Sequence, residues 1–529
     1  MIPLLTAAQM RAWEEAHMAA GYDTGLDLME RAGRGVVGKT LAHWPRLATA
    51  PQSAIILCGP GNNGGDGYVV ARLLKARGWD VTVVQLVTDK PRTPDALANH
   101  DRWLKMGGTL VREVPEAEFD VCLDAVFGTG LTRALDGEVH RALASPGLLQ
   151  ALRVAIDIPS GLSSETGALV DEGSYPAFGL TVALGAPKPG HYLGTGPDLC
   201  GHLVTVPLDL RPDGLPDVTD ETLVFRASPA LEPGEDAVPA PPSIVRSRWR
   251  AHHKYRRGHA LVVSGGPGRC GAARLAARAA LRMGAGLVTI ACPPEALAEN
   301  AARLDAVMLR PVADADALSR LLEDERYDRV CIGPGLGTDA HARALVEAVL
   351  TVRRPTVLDA DALTMWEDAP ERLFEQLTER SVLTPHGGEF ARLFPDLAES
   401  LSAGVVPKTG VTLEASRRAG ATVLFKGRDT VVAERMSSED AQTRVVLVAA
   451  AYESAAPQLA TAGSGDVLSG LITGAIGNYR QPVTTAARVH LRCALEFGPG
   501  LIAEDLPEMV PRVLRKAEEA FRSPFPVLL

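Results

Sequence analysis

The segment Gly59-Pro60-Gly61-Asn62-Asn63-Gly64-Gly65-Asp66-Gly67 follows an apolar run and opens a helical pattern. Glycine has no Cβ, so such a backbone can approach a ligand closely, and amides at a helix N-terminus attract anions. The segment lacks the Gly-Lys-Ser/Thr ending of a Walker loop and does not fit the dinucleotide fingerprint. It reads as a phosphate- or cation-binding turn, with a tight structural turn as the alternative. Two more apolar runs end in carboxylates, at Asp124-Ala125-Val126-Phe127-Gly128-Thr129-Gly130-Leu131 and at Asp157-Ile158-Pro159-Ser160-Gly161. Asn63, Asp124 and Ser160 together offer hard oxygen ligands to a cation, which leaves Asp157 for proton transfer. Taken singly, each aspartate could as well cap a turn or a helix.

A second set of reactive residues lies in the C-terminal half. Thr461-Ala462-Gly463-Ser464-Gly465-Asp466-Val467-Leu468-Ser469-Gly470 joins a loop to an apolar helix. Successive amides at Gly463, Ser464 and Gly465 would line an anion hole. Asp466, in the first turn, could act as a base on a substrate hydroxyl or simply cap the helix. Lys426-Gly427-Arg428-Asp429-Thr430 follows another apolar run, where Lys and Arg suit a nucleotide phosphate or ribose, although a charged hairpin would look the same. His386 precedes a Gly387-Gly388 turn at a further run's end. Gly333-Pro334-Gly335-Leu336-Gly337 and Asp359-Ala360-Asp361-Ala362-Leu363 complete a ring of such loops.

These residues need strands to carry them. Residues 54–58, 81–87, 121–123 and 154–156 are short apolar runs, and a helical pattern spans 68–77. The same alternation resumes at 260–263, 287–291, 330–332, 356–358, 382–383 and 422–425, with helices expected over 272–283, 340–350 and 467–476. Strands alternating with helices imply parallel sheets, whose ligands bind beyond the carboxyl ends of the strands. Residues 6–37 read as helices preceding the first sheet. The stretch 212–243 holds Pro212, Pro216, Pro229, Pro233, Pro239, Pro241 and Pro242 without an apolar period, which is linker chemistry. Two α/β domains are therefore expected, residues 1–211 and 244–529, joined by a Pro-rich linker.

The 529 residues are too many for one ordinary core. A formal charge of −10 argues against sequence-independent nucleic-acid binding. Neither a signal peptide nor a membrane-spanning apolar stretch is read, so a soluble, cytoplasmic protein is expected. The seven cysteines are odd in number and show no CxxC or zinc spacing, so they read as small core residues.

Together the N-terminal motifs resemble the YjeF N-terminal family of NAD(P)H-hydrate epimerases across roughly residues 4–211. Leu28-Met29-Glu30-Arg31-Ala32-Gly33 and Gly185-Ala186-Pro187-Lys188-Pro189-Gly190 carry the likeness further. The resemblance implies a Rossmann-like, doubly wound sheet. It implies hydrate binding at Asn62, Asn63, Gly64, Gly65 and Asp66, and at Gly128, Thr129, Gly130, Leu131, Thr132, Arg133 and Ala134. It also implies potassium held by Asn63, Asp124 and Ser160, with catalytic Asp157 touching the substrate.

The C-terminal motifs, from about residue 248 to 513, resemble the ADP-dependent NAD(P)H-hydrate dehydratases, a ribokinase-like family. His253-Lys254-Tyr255-Arg256-Arg257-Gly258 and Gly271-Ala272-Ala273-Arg274-Leu275-Ala276-Ala277-Arg278 extend the match. The resemblance places hydrate contacts on Ala273, Gly335, His386 and Asp466, and nucleotide contacts on Lys426, Gly427, Arg428, Asp429, Thr430 and Gly465. Gly387 stands where many members have proline. The implied partners are the NADH and NADPH hydrates and ADP, with magnesium as the dehydratase ion; a homo-oligomer is left open. The rival readings are a ribokinase-like ATP-dependent vitamin kinase and a non-catalytic binding module.

Overall fold

The computed structural model describes residues 2–90, 92–211, 224–227, 253–435, 443–448 and 456–522. The chain forms two compact units, one mainly of Pro3–Leu223 and the other of Val224–Ala449 with Ser454–Leu529.

The N-terminal unit is a parallel sheet in the order Leu110–Val111, Asp80–Gln85, Ser53–Cys58, Val121–Ala125, Leu152–Ile156, Leu180–Leu184, His202–Val206. The order reverses between Ser53–Cys58 and Val121–Ala125, which makes the switch point where such sheets bind ligands. Alternate residues serve opposite faces: Ile55, Leu57 and Cys122 pack with Val139 and Leu143 of the helix Gly137–Leu143. Ahead of the sheet run the helices Ala7–Ala19 and Gly25–His43. Each opens on a capping box, Thr6 with Gln9 and Thr24 with Asp27, which satisfies amides the first helical turn leaves orphaned.

The C-terminal unit holds strands in the order Val224–Ala227, Thr443–Val448, Thr430–Arg435, Thr422–Phe425, Ser381–Leu383, Thr356–Leu358, Tyr327–Ile332, His259–Val263, Leu287–Cys292, Met308–Pro311. From Thr422–Phe425 to Met308–Pro311 the pairing is parallel. Thr430–Arg435 instead returns antiparallel to Thr422–Phe425 and pairs antiparallel with Thr443–Val448. Val224–Ala227 falls inside the stretch expected to be linker, yet it is a strand beside Thr443–Val448; the rest of 212–243 lies outside the described residues.

Two helices fix the C-terminal site. Ser464–Ala475 lies on Cys270–Met283 at glycine-to-alanine distance: a Cβ on Gly470 would fall 2.1 Å from Ala276 O, and one on Gly474 2.3 Å from Ala280 O. Gly470 and Gly474 are one turn apart, as are Ala276 and Ala280, so small residues meet along one stripe. The Ala- and Gly-rich composition serves helix-on-helix packing here. None of the helices among the described residues is long and apolar enough to cross a membrane.

Candidate active sites

At the N-terminal switch point the helix begins at Asn62, with Gly61 as its N-cap, six residues earlier than the 68–77 pattern suggested. Asn62 to Gly67 are therefore helical rather than loop. Four of the glycines serve the protein itself. A Cβ would come within 2.0 Å of Val126 O at Gly59, 2.0 Å of Gly59 O at Gly64, 2.5 Å of Met29 Sδ at Gly65 and 2.8 Å of Cys58 Sγ at Gly67. Only Gly61 of the segment has open space around it. At these positions the missing Cβ lets the helix start sit tightly on the sheet edge.

The polar residues between them do face the site. Asn62 is exposed, and its Oδ1 accepts from Thr93 Oγ1 at 2.6 Å. Asn63 is buried, and neither heteroatom of its carboxamide has a hydrogen-bond partner. A Cβ built on Gly128 would lie 3.5 Å from both Asn63 Cγ and Asp157 Oδ2, so the structure brings Asn63, Gly128 and Asp157 together. Gly130 lies beside the Arg11 guanidinium, while Thr132, Arg133 and Ala134 are exposed. Leu131 differs, because its side chain belongs to the core.

Asp157 is held in an unusual conformation, at φ 66°. A non-glycine residue in the left-handed region costs on the order of 1–3 kcal/mol and persists only when its surroundings over-determine it. Here they do. Its N–H donates to Val182 O (2.8 Å), its Oδ1 accepts from Leu184 N (3.1 Å) and Lys188 Nζ (2.5 Å), and its carbonyl accepts from His191 Nε2 (2.8 Å). His191 Nδ1 accepts from Lys188 N at 3.0 Å, so the ring proton sits on Nε2. Burial depresses the imidazole to about 4 and keeps it neutral. Burial also raises Asp66 well above the usual carboxylate range, with Asp157 and Glu14 adding to it against Lys188. Glu14 is raised by burial too, with Lys188 opposing. Glu14 and Lys188 were not picked out as functional from sequence; Lys188 follows the strand Leu180–Leu184, whose C-terminal end was the available signal.

Asp124 is buried at the same sheet edge and accepts from Val126 N (3.1 Å), Ser160 N (2.8 Å) and Ser160 Oγ (2.7 Å). Burial still lifts its carboxyl above the ordinary range. Among the described residues Asp124 has no ion-pair contact, only the field of Arg153, and together with the Asn63 carboxamide oxygen it offers hard oxygen ligands to a cation.

In the C-terminal unit Gly463, at φ 86°, caps the helix Ser464–Ala475. Ser464 N donates to Thr461 O (3.3 Å), so this amide is spent within the turn. The amides of Gly463, Gly465 and Asp466 have no partner among the described residues, so these, and not that of Ser464, are the ones open to an anion. His490 Nε2 lies 3.0 Å from Ser464 O and 3.2 Å from Ser464 Oγ, which braces the turn.

Asp466 occupies the first turn, and its carboxyl is raised to about 6 by burial and by the neighbouring Asp359, with Lys426 opposing. Lys426 Nζ binds Asp359 Oδ1 (2.7 Å) and approaches Glu389 Oε2 (3.8 Å); a Cβ on Gly465 would lie 3.5 Å from that same Nζ. Burial works against the Lys426 charge, but these carboxylates outweigh it and raise the ammonium. Asp359, buried and also bonded to Ser469 Oγ (2.5 Å), is the centre of the cluster. It stands at the end of the run 356–358, the same signal that marked Asp124.

His386 caps the helix Gly387–Leu393: its Nδ1 accepts from Gly388 N (3.0 Å), and its own N–H donates to Glu389 Oε2 (2.8 Å). The ring is half exposed and Glu389 links it to Lys426. Asp429 Oδ1 is bound by the buried Lys408 Nζ at 2.6 Å, and Thr430 Oγ1 donates to Gly427 O at 2.8 Å, so the 426–430 turn is ordered internally. Gly335 backs onto the Arg269 carbonyl near Ala272. Ala273 is fully buried between the two packed helices.

The geometry of both sites meets close relatives among known proteins. Residues 260–508 match the family model described as NAD(P)H-hydrate dehydratase, and residues 25–190 match that of the YjeF-related protein N-terminus. The bifunctional NAD(P)H-hydrate repair enzyme Nnr of Synechocystis sp. is 33% identical, with 93% of this chain and 90% of that protein covered. The chain belongs to the bifunctional NAD(P)H-hydrate repair enzyme family. The member from Escherichia coli is 32% identical over 92% of this chain and 89% of its own length, and that from Coxiella burnetii 32% over 96% and 98%. A solved Bacillus subtilis structure described as an ADP/ATP-dependent NAD(P)H-hydrate dehydratase co-crystallised with ATP and Mg2+ is 26% identical. It covers 50% of this chain and 91% of its own, with a TM-score of 0.40. In this family the N-terminal sheet is the Rossmann-like part and the C-terminal one the ribokinase-like part, in line with the sequence reading.

Proposed function

We propose that the chain repairs hydrated NADH and NADPH in two steps, each in its own unit. Residues 1–211 interconvert the R and S hydrates, and residues 244–529 dehydrate the S form, converting ADP to AMP and phosphate. The observation that carries this is Asp466, poised near 6 beside free helix amides and the Lys426–Asp359 pair.

Hydroxide is a poor leaving group, so the C6 hydroxyl of the hydrate must be activated before it departs. Asp466 takes the hydroxyl proton as the oxygen attacks the terminal phosphoryl of the nucleotide. The amides of Gly463 and Gly465 hold the transferring group; such donors are worth about 3–4 kcal/mol each in other enzymes. Phosphate then leaves with the C6–O electron pair, C5 gives up a proton to solvent, and the restored C5–C6 double bond returns the ring's conjugation. Lys426, Gly427, Arg428, Asp429 and Thr430 hold the nucleotide, and His386 with Gly335 borders the hydrate. Magnesium would enter with the nucleotide phosphates, where it neutralises charge.

In the N-terminal unit Asn62, Asp66 and residues 128–134 bind the hydrate against Asp157. Lys188 fixes the Asp157 carboxylate, and the strained backbone aims it at the pocket shared with Asn63 and Gly128. Potassium, held by Asn63, Asp124 and Ser160, would supply positive charge beside the hydrate. Seven free, buried cysteines support a reducing, cytoplasmic setting.

The test uses separated R and S NADH hydrates with ADP or ATP while nicotinamide absorbance is followed. Return of absorbance from S with ADP, and from R only through the active N-terminal unit, is expected. Turnover of ATP with hydroxymethylpyrimidine or thiazole alcohols instead would overturn the reading in favour of a vitamin kinase.

A further inference from the structure

One carboxylate outside every motif above ties the two N-terminal substrate loops together. Asp171 Oδ2 accepts from Leu135 N (2.9 Å) and His140 Nε2 (3.2 Å); its Oδ1 accepts from Gly173 N (2.8 Å) and the Tyr175 hydroxyl (2.8 Å). Leu135 is where the loop 128–134 ends. Tyr175 packs against the other loop, since a Cβ on Gly161 would fall 1.9 Å from Tyr175 Cε1. Val170 N, next to Asp171, donates to Gly161 O at 2.9 Å. The 157–161 and 128–134 segments thus meet at one side chain. Two shorter-range ties lie nearer the strand ends: Ser160 Oγ accepts from Phe127 N at 2.9 Å, and Ser164 Oγ donates to Thr129 O at 3.1 Å.

The arrangement is a built one. Burial alone would raise the Asp171 carboxyl, but the Leu135, Tyr175, Gly173 and His140 donors outweigh it and hold it at about 2. It therefore stays ionised throughout the working range, and four charge-assisted hydrogen bonds radiate from it. The same ring of Tyr175 packs edge-on to His140, with centroids 5.2 Å apart, so the donors also support one another.

We propose that Asp171 is a positioning residue of the epimerase: it sets the distance between the 128–134 loop and the segment carrying Asp157 and Ser160. The inference rests on the reading of the N-terminal unit as the epimerase. Asp171 touches neither Asp157 nor Asn63, so its effect falls on how well the hydrate is gripped and not on proton transfer itself. Asp171→Asn turns one acceptor into a donor facing donors and releases one side of the clasp. Tyr175→Phe removes a single hydroxyl and keeps the ring on Gly161.

In the full-length chain, epimerisation of the R hydrate is measured with kcat and KM separated, alongside dehydration of the S hydrate and thermal unfolding. Asp171→Asn raises KM for the R hydrate about tenfold, in keeping with one lost charge-assisted bond, while kcat changes less than about threefold. Tyr175→Phe moves KM the same way by a smaller factor, and S-hydrate turnover is unchanged in both. An active wild type whose variants keep the wild-type KM overturns the inference alone. So does a fall in kcat and melting temperature with KM unmoved, which would make Asp171 a fold residue only. If Asp171→Asn fails to fold, the Tyr175→Phe KM decides. A wild-type chain that cannot epimerise overturns the functional reading, and this inference with it.

Discussion

Lys188 Nζ lies 2.5 Å from Asp157 Oδ1, and both side chains are buried. Removing one partner of a buried ion pair strands the other charge, which commonly costs about 3–5 kcal/mol. Lys188→Met is therefore expected to lower the unfolding temperature of the N-terminal unit by several degrees and to abolish rescue of the R hydrate. Turnover of the S hydrate with ADP continues, because Lys188 belongs to the other unit. Calorimetry and the two-isomer assay check this together; intact R-hydrate rescue in Lys188→Met would show that the pair does not serve the reaction.

Asp157 itself separates backbone from chemistry. At φ 66° asparagine is tolerated better than alanine, because its short polar side chain stabilises the left-handed region. Both Asp157→Asn and Asp157→Ala are expected to lose epimerisation, by at least about a hundredfold, since neither carries a carboxylate. Alanine alone adds backbone strain and melts roughly 1 kcal/mol less stable than asparagine. Equal stability of the two variants would mean the strain is not held in the native state.

Asp466 makes dehydration depend on pH with a definite sign. As a base it must be ionised, so kcat/KM for the S hydrate should fall as pH drops through about 6. The folded pKa lies above the usual 3.8, so the folded state holds the proton more tightly than the unfolded one. Its contribution is then most favourable below the unfolded value and is lost as pH rises through about 6. Asp466→Asn removes that penalty. The variant should melt higher than wild type by about a few degrees at pH 7.5 and lose the advantage near pH 4, while dehydratase activity disappears. A pH profile flat between 5 and 8, or full activity in Asp466→Asn, would remove the residue from its assigned role.

Much of this was legible in the sequence because both sheets are buried on two faces. Runs such as Ala54-Ile55-Ile56-Leu57-Cys58 and Thr356-Val357-Leu358 read as strands, and the residue after each run falls at the ligand edge. What failed was local. Glycines packed on their own protein look the same in sequence as turn glycines, so the helix was expected from 68 although it begins at Asn62. The pairs that tune the sites join residues far apart, 31 positions for Lys188 and Asp157 and 67 for Lys426 and Asp359. Spacing carries no trace of such contacts. Edge strands were missed for a different reason: Leu110–Val111 is too short and Met308–Pro311 too exposed to show an apolar run.

Lys408 gives the nucleotide side its own test. Its Nζ binds Asp429 Oδ1 at 2.6 Å and Lys426 O at 3.3 Å, and it sits 4.3 Å from the Phe425 ring centroid. A Cβ on Gly427 would meet this ammonium at 2.5 Å, so the turn is wrapped around it. Burial lowers the lysine's pKa, with Asp429 opposing. Lys408→Met keeps the aliphatic packing on Phe425 but frees the 426–430 turn. Losing charge-assisted bonds of this kind weakens ground-state binding by about tenfold, so KM for ADP should rise by that factor with kcat within about twofold. Epimerisation of the R hydrate, carried by the other unit, should not change. Titration with ADP at saturating S hydrate reads the effect directly, and an unaltered KM for ADP would mean that residues 426–430 hold the nucleotide without this anchor.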